Sequence, residues 1–230
     1  MEKTATPLDF ISCIPIFSDL EAAEVEFLAS HAVKKRYGGG EWVAQRGDVW
    51  PFLISICEGE VTAIKESVEG RSLILETMHK GEVFWGLAFF TEGAQMPAGL
   101  KASRDSSLLL WSRERLMPLL QQNGRVSWAL SCLVAQRVQR ASTIVDELAF
   151  QPVMTRLAGL LLGRYQDAVG DFVARDLTLD EMAARIGSTR EMVCRMLYRF
   201  SESGAIQINR TEFRIADSEI LEDYARKEKG

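Results

Sequence analysis

The residues best placed to do chemistry lie in one stretch, LTLDEMAARIGSTREMVCRMLYRFSESG, from Leu177 to Gly204. On a wheel of about 100° per residue, Arg190, Glu191, Cys194, Arg195 and Tyr198 share one side of a helix, and Val193, Met196, Leu197 and Phe200 share the other. The first side can enter a DNA major groove while the second packs on Met182, Ala183 and Ile186. Arg190 and Arg195 each offer a planar fork of donors that matches guanine O6 and N7, and Glu191 can accept from cytosine N4. Ser188, Thr189 and the free N–H groups at the helix start suit a phosphate. Arg199, with Arg185, Arg210 and Arg214, can flank the groove, where only phosphate contact is required. A plainer alternative stands beside this. Ser188-x-x-Glu191 is also a capping box, so Glu191 can cap its own helix, and Arg195 and Arg199 can be solvated surface.

A second group suggests a pocket. Phe84, Trp85, Phe89, Phe90 and Trp111 can line an apolar cavity for haem or an aromatic effector, although aromatics at such positions more often form core. His31 and His79 are the only histidines, and His79, in the turn His79-Lys80-Gly81, reads first as surface and only second as a haem ligand. Four scattered cysteines, with no CxxC pair, fit reduced thiols. Cys13, Cys57 or Cys132 could serve as a redox thiol, but inert burial is the default. No catalytic triad, phosphate-cradling glycine loop or metal-ligand spacing is present, so no catalytic residues and no metal are expected.

These groups need elements to hold them. With 230 residues, 47% hydrophobic and 26% charged, the chain has room for two modest domains of ordinary globular composition. No run approaches the roughly 18 apolar residues of a membrane span, and MEKTATPLDF lacks the pattern of a signal peptide, which points to the cytoplasm. Net charge is −5, and residues 151–230 alone come out near neutral, so any DNA contact must come from a local cationic surface.

Ser18-Asp19-Leu20-Glu21 reads as a capping box ahead of a helix to His31. Short β-rich stretches follow at Glu41–Ala44, Phe52–Cys57, Val61–Lys65, Ser72–Met78, Ala98–Ala102 and Ser107–Trp111, punctuated by glycines, as in a sandwich or barrel-like roll. Arg113–Gln122 forms a helix, and Gly124 precedes a long one ending near Phe150. Along it Ser131, Val134, Val138, Ala141, Val145 and Leu148 step by three and four, a narrow seam that favours a paired coiled coil over a single helix lying on the roll. Arg137, Gln139, Arg140 and Asp146 lie off that seam. Gln151-Pro152 breaks the helix. Further helices are expected over Pro152–Asp167, from the Thr178 cap to Ile186, over Thr189–Ser203, and from Ser218 to Lys227 behind an Asp217 cap. Ile206–Ile208 and Phe213–Ile215 form a hairpin. The divisions are 1–122, 123–150 and 151–230.

With PIFSDL (Pro15–Leu20), the glycine-punctuated roll, ELAF (Glu147–Phe150) and STREMVCR (Ser188–Arg195), the chain resembles the cyclic-AMP receptor protein and fumarate–nitrate reduction regulator (CRP/FNR) superfamily from about Ile16 to Ile215. The resemblance implies an α+β fold: an N-terminal double-stranded, cyclic-nucleotide-binding-like β-roll, a long dimerisation helix and a C-terminal winged helix-turn-helix. It implies a homodimeric transcription regulator that binds double-stranded DNA, with RNA polymerase as a further partner. The Arg190, Glu191 and Arg195 pattern is similar to the branch reading TGTGA-N6-TCACA. The cyclic-phosphate cassette of that branch, GELGLF followed by RSA, is altered. Gly86 stands at its glutamate, Met96 at its arginine and Pro97 at its serine, while Trp85 replaces a small residue. Ser142 keeps one hydroxyl on the long helix, and Ala141 lacks its neighbour. The expected effector is therefore a small molecule or signal other than cyclic AMP, with haem, nitric oxide and redox among the candidates, its pocket drawn from Phe84, Trp85, Gly86, Met96, Pro97 and Ser142. The rival reading is a ligand- or partner-binding roll whose C-terminal helices dock on protein.

Overall fold

The computed structural model describes residues 7–165 and 169–226. The chain forms two compact units. One comprises the residues up to Lys65 with Glu76–Gln139, and the other comprises Glu66–Leu75 with Arg140 onward.

In the first unit, helices α1 (Pro7–Ile11) and α2 (Ala22–His31) precede the strands. Helix α2 begins later than its sequence suggests. Glu21, not Ser18, is its N-cap, and Glu21 and Glu24 form the capping box. Ser18 instead closes a 3₁₀ turn over Pro15–Phe17, its hydroxyl donating to the Pro15 carbonyl at 2.9 Å.

The roll contains β1 (Val33–Tyr37), β2 (Trp42–Ala44), β3 (Phe52–Glu66), β4 (Ser72–Met78), β5 (Val83–Trp85) and β6 (Gly99–Ser112). Its sheet runs β1-β6-β3-β4, with β2 also on β6 and β5 on β3. Two pairs of stretches read as separate are single long strands, β3 and β6. Their antiparallel register shifts between Ile56 and Val61, which breaks the alternation of side chains without breaking the strand. Gly59 lies in that irregularity at φ +89°, where a Cβ would fall 2.4 Å from the Asp105 carbonyl oxygen, so only glycine fits. Strand β2 begins at Trp42 rather than Glu41. Strands β1 and β5 were not anticipated, because β1 is largely solvent-facing Val-Lys-Lys-Arg and β5 is three residues long.

Core packing ties α2 to the roll. The indole Nε1 of fully buried Trp111 donates to the Leu28 carbonyl at 2.9 Å, and Phe17 meets its ring edge-on at 5.7 Å. After a short helix α3 (Leu87–Phe90), helix α4 (Arg113–Gln122) follows as read, and α5 (Gly124–Phe150) includes Gly124 as its first residue. Asn123 separates them by accepting from the N–H groups of Arg125 and Val126, which satisfies the open start of α5. Along α5, Val126 and Leu130 are buried, whereas Val134, Val138, Ala141 and Val145 are exposed.

The second unit holds α6 (Val153–Arg164), β7 (Val173–Ala174), α7 (Leu179–Arg185), α8 (Arg190–Glu202), β8 (Ile206–Ile208), β9 (Glu212–Ile215) and α9 (Ser218–Arg226). Helix α6 is shorter at both ends than Pro152–Asp167, since Pro152 is its N-cap and Tyr165 its C-cap; Asp167 and Lys227 lie outside the described residues. Thr178 and Glu181 form the anticipated capping box, and Asp217 Oδ1 accepts from the N–H groups of Glu219 and Ile220 at the start of α9. The sheet order is β7-β9-β8, so the hairpin gains a third strand. Leu157, Leu161, Met182, Val193, Phe200 and Phe213 form the centre of this core.

A single guanidinium fastens the end of α5 inside this unit. Arg156 donates through Nη1 to the carbonyls of Glu147 and Gln151 and through Nε to that of Ile186 at 2.9 Å. Beside Ile186, Gly187 turns the chain at φ +60°, and a Cβ there would stand 2.5 Å from Leu148 Cδ2. Leu148 is thus partly buried among residues of its own unit, unlike the exposed valines earlier in the seam.

Candidate nucleic-acid interface and the altered cassette

Helices α7 and α8 form the helix-turn-helix. Val193, Met196, Leu197 and Phe200 are buried, and Arg190, Glu191, Cys194, Arg195, Tyr198 and Arg199 are exposed. The N-cap of α8 is Thr189, whose hydroxyl accepts from the Met192 N–H at 3.3 Å. The Ser188–Glu191 capping box does not form: the Ser188 N–H goes back to the Ala183 carbonyl. Glu191 therefore remains on the open face with no hydrogen bond or ion pair among the described residues.

The two forks differ in their surroundings. Arg195 makes no hydrogen bond or ion pair among the described residues, whereas Arg190 Nη1 donates to Asp180 Oδ2 at 2.8 Å. The flanking arginines divide as well. Arg199 and Arg210 are exposed, and Arg185 is half-buried. Arg214, however, is occupied: Nε donates to Gln207, Nη1 donates to the Gly170 carbonyl, and the guanidinium lies 4.8 Å from the Phe172 ring centre. The hairpin turn beside it is held by Asn209 Oδ1, which accepts from the N–H groups of Thr211 and Glu212.

Beneath this face, Tyr165 is buried, its hydroxyl donating to Asp176 at 2.8 Å. Burial, reinforced by Asp176, pushes the phenol up to about 12. Burial acts against the Asp176 charge, but hydrogen bonds from Arg164 and Tyr165 together hold its carboxyl below the usual range.

The cassette in the roll is filled. Gly86 sits at the end of β5 with its N–H on the Phe52 carbonyl, and a Cβ there would fall 1.9 Å from the Trp50 carbonyl oxygen. No side chain fits at that position without moving backbone. Met96 is 3% exposed and Trp85 8%, so both are core, while Pro97 and Ser142 are exposed.

Sequence reading missed the residue that organises this region. Arg137, placed off the seam of α5, turns onto the cassette with its guanidinium 4.0 Å from the Trp85 ring centre and 4.6 Å from that of Phe84. It pairs with Glu76 at 2.9 Å and donates to the Val83 carbonyl. Burial lowers its pKa, opposed by Glu76. The only advance signal was an arginine among the small and apolar residues of a long helix, and its partners lie more than fifty positions away.

Of the two histidines, His79 is the candidate haem ligand. His79 is largely exposed, with Nδ1 3.5 Å from Glu60, and His31 Nδ1 lies 2.8 Å from the Phe27 carbonyl. Cys13 and Cys194 are exposed, Cys57 and Cys132 half-buried, and burial pushes the Cys57 thiol up, away from the thiolate. Among the described residues no group of three or more His, Cys, Asp or Glu could hold a metal, and no helix is long and apolar enough to cross a membrane.

A model of the cyclic nucleotide-binding domain matches residues 34–123, and one of the Crp-like helix-turn-helix domain matches 155–224. The chain belongs to the CRP/FNR family. The cyclic AMP receptor protein of Thermus thermophilus is 26% identical over 211 residues, covering 92% of this chain and 96% of that protein. The cAMP-activated global transcriptional regulator Vfr of Pseudomonas aeruginosa is 29% identical over 188 residues, 79% of this chain and 88% of its own. Among solved structures, a crp/fnr-family chain from Eubacterium rectale superposes with a TM-score of 0.76 at 20% identity, covering 94% of this chain and all of that one. The c-di-GMP responsive regulator CLP of Xanthomonas campestris gives 0.75 at 23%, covering 86% and 100%. Both structures bear out the fold of roll, long helix and helix-turn-helix. As a CRP/FNR-type chain, the protein is a DNA-binding transcription regulator.

Proposed function

We propose that this CRP/FNR regulator binds a TGTGA-like palindrome as a homodimer and is controlled by a signal other than cyclic AMP. One observation carries the first part: Arg190, Glu191 and Arg195 stand together on the exposed face of α8 while its apolar face is wholly buried. Two guanidinium forks and a carboxylate at the N-terminal half of a recognition helix form a donor and acceptor set for G·C pairs in the major groove. Thr189 and Ser188 at the helix start, with Arg199 and Arg210, supply phosphate contacts. The exposed Val134, Val138, Ala141 and Val145 on α5 support pairing with a second copy, which would place two recognition helices on the two half-sites. RNA polymerase is the expected further partner, and the cytoplasm the expected location.

The second part rests on the filled cassette. A cyclic phosphate buried in the roll needs a cationic fork and donors around it. At the three matching positions this chain has a glycine with no room for a side chain, a buried methionine and an exposed proline. The relatives named for cyclic AMP therefore lend this chain their fold and their DNA chemistry rather than their ligand.

Fluorescence anisotropy on a TGTGA-N6-TCACA duplex and a scrambled duplex, each across a range of salt, tests the first part. Specific binding with a steep salt dependence is expected; equal affinity for both duplexes would sink it. Calorimetry with cyclic AMP, expected to show no binding heat, tests the second. An absorption spectrum of protein purified with and without oxygen tests haem directly.

A further inference from the structure

We infer that Asp180 is a specificity-determining residue that orients the Arg190 fork for a single base pair. The inference rests on the proposed reading of DNA by α8 and extends it to a residue outside that helix.

Asp180 lies in the first turn of α7, two residues after the Thr178 cap, where the open N–H groups of the helix end favour a carboxylate. Its Oδ2 accepts from Arg190 Nη1 at 2.8 Å across the turn of the helix-turn-helix. Arg190 is the first residue of α8, and its backbone is fixed by the Thr189 cap and the buried Val193 behind it. A guanidinium carries five N–H donors in one plane. Asp180 takes one and leaves the other edge free for guanine O6 and N7. Carboxylate and base can thus hold opposite edges of the same fork.

An unheld arginine must give up side-chain freedom when it meets a base, which weakens the contact. A fork already anchored gives up less. A carboxylate beside the groove also repels phosphate, so it lowers affinity for DNA of any sequence. Both effects raise the ratio of specific to non-specific binding. Arg195 has no such neighbour among the described residues, so the two forks should differ in selectivity, with Arg190 the stricter.

The test measures the affinity of the full-length protein for duplexes carrying each of the four base pairs at every half-site position, for wild type, Asp180→Ala, Asp180→Asn, Arg190→Ala and the double variant. Circular dichroism and a melting curve check that each is folded. Asp180→Ala should relax preference at one position by roughly two- to fivefold, the range of an exposed ion pair, while non-specific affinity rises. Asp180→Asn, which keeps an acceptor oxygen, should restore part of the preference. In the Arg190→Ala background, removing Asp180 should leave base preference unchanged. If Arg190→Ala abolishes preference at a position that Asp180→Ala leaves intact, the role of Asp180 is refuted while the reading of DNA stands. An equal change at all positions would also refute it, because a helix-stabilising or purely electrostatic residue acts that way. If Arg190→Ala alters no position, the reading by α8 itself is wrong.

Discussion

The two chemical ends of this molecule hold their polar groups in opposite ways. The helix-turn-helix keeps its polar groups on an open face, with Arg190, Glu191 and Arg195 exposed above a buried apolar floor. The cassette of the roll has turned inward: Trp85 and Met96 are core, Gly86 is pressed against Trp50, and Arg137 lies over the two aromatic rings. In the proposed reading, the DNA-facing surface and the effector site place different demands on the same fold. The first needs exposed hydrogen-bonding groups that cost the fold little. The second needs buried polar groups, which are expensive to keep once no ligand satisfies them.

Breaking the output surface should have the largest effect. If Arg190 and Arg195 read bases as proposed, replacing both by alanine removes two bidentate contacts, each worth about 1–3 kcal/mol of discrimination, so the two duplexes should become nearly equal in an anisotropy titration. Survival of palindrome recognition would show that α8 does not read the half-site through these two forks. Next in size is Gly86→Glu, which restores a carboxylate at the altered cassette. Overpacking against the Trp50 carbonyl should destabilise the roll by about 1–3 kcal/mol or more in urea unfolding, and cyclic AMP should not offset the loss. A stable Gly86→Glu variant that binds the nucleotide would show that the cassette is merely unfurnished rather than filled.

Arg137→Ala probes how the inward-turned end is held. It strips the cation from Phe84 and Trp85 and leaves Glu76 half-buried without its partner, at an expected cost of about 1–3 kcal/mol in the same assay. Lysine should recover little, because a compact ammonium cannot lie flat between two rings and reach the Val83 carbonyl at once. The smallest effect concerns the frame below the recognition helix. The Tyr165 phenol titrates near 12 when folded and near 10 when unfolded. Its contribution is complete below pH 10 and fades as pH rises from 10 to 12. Chemical unfolding across that window should show a decline of about 1–2 kcal/mol that Tyr165→Phe removes.

The same contrast explains what the sequence disclosed. Features encoded by near neighbours were legible: the Thr178 and Asp217 caps, the long α5 with its end at Phe150, and the two-faced wheel of α8. Features made by distant pairing were not. β3 and β6 read as fragments because a shifted register around Gly59 interrupts their alternation, and β1 was silent because its lysines and arginine face solvent. The Ser18 box lost to Glu21, three residues on, and the Ser188 box to its neighbour Thr189, because the point at which the backbone enters the helix is decided by packing. At the site, the residue types of α8 announced themselves. Neither the Asp180 contact to Arg190 nor the seat of Arg137 has a spacing that a linear reading can weigh.

Arg156 gives the second unit a mechanical property. Because one planar group grips the last turn of α5 and the carbonyl just ahead of Gly187, with Leu148 filling the space where any larger residue would go, twist in those final residues has no slack in which to dissipate. The rod and the corner that aims the reading surface turn like parts keyed to one shaft.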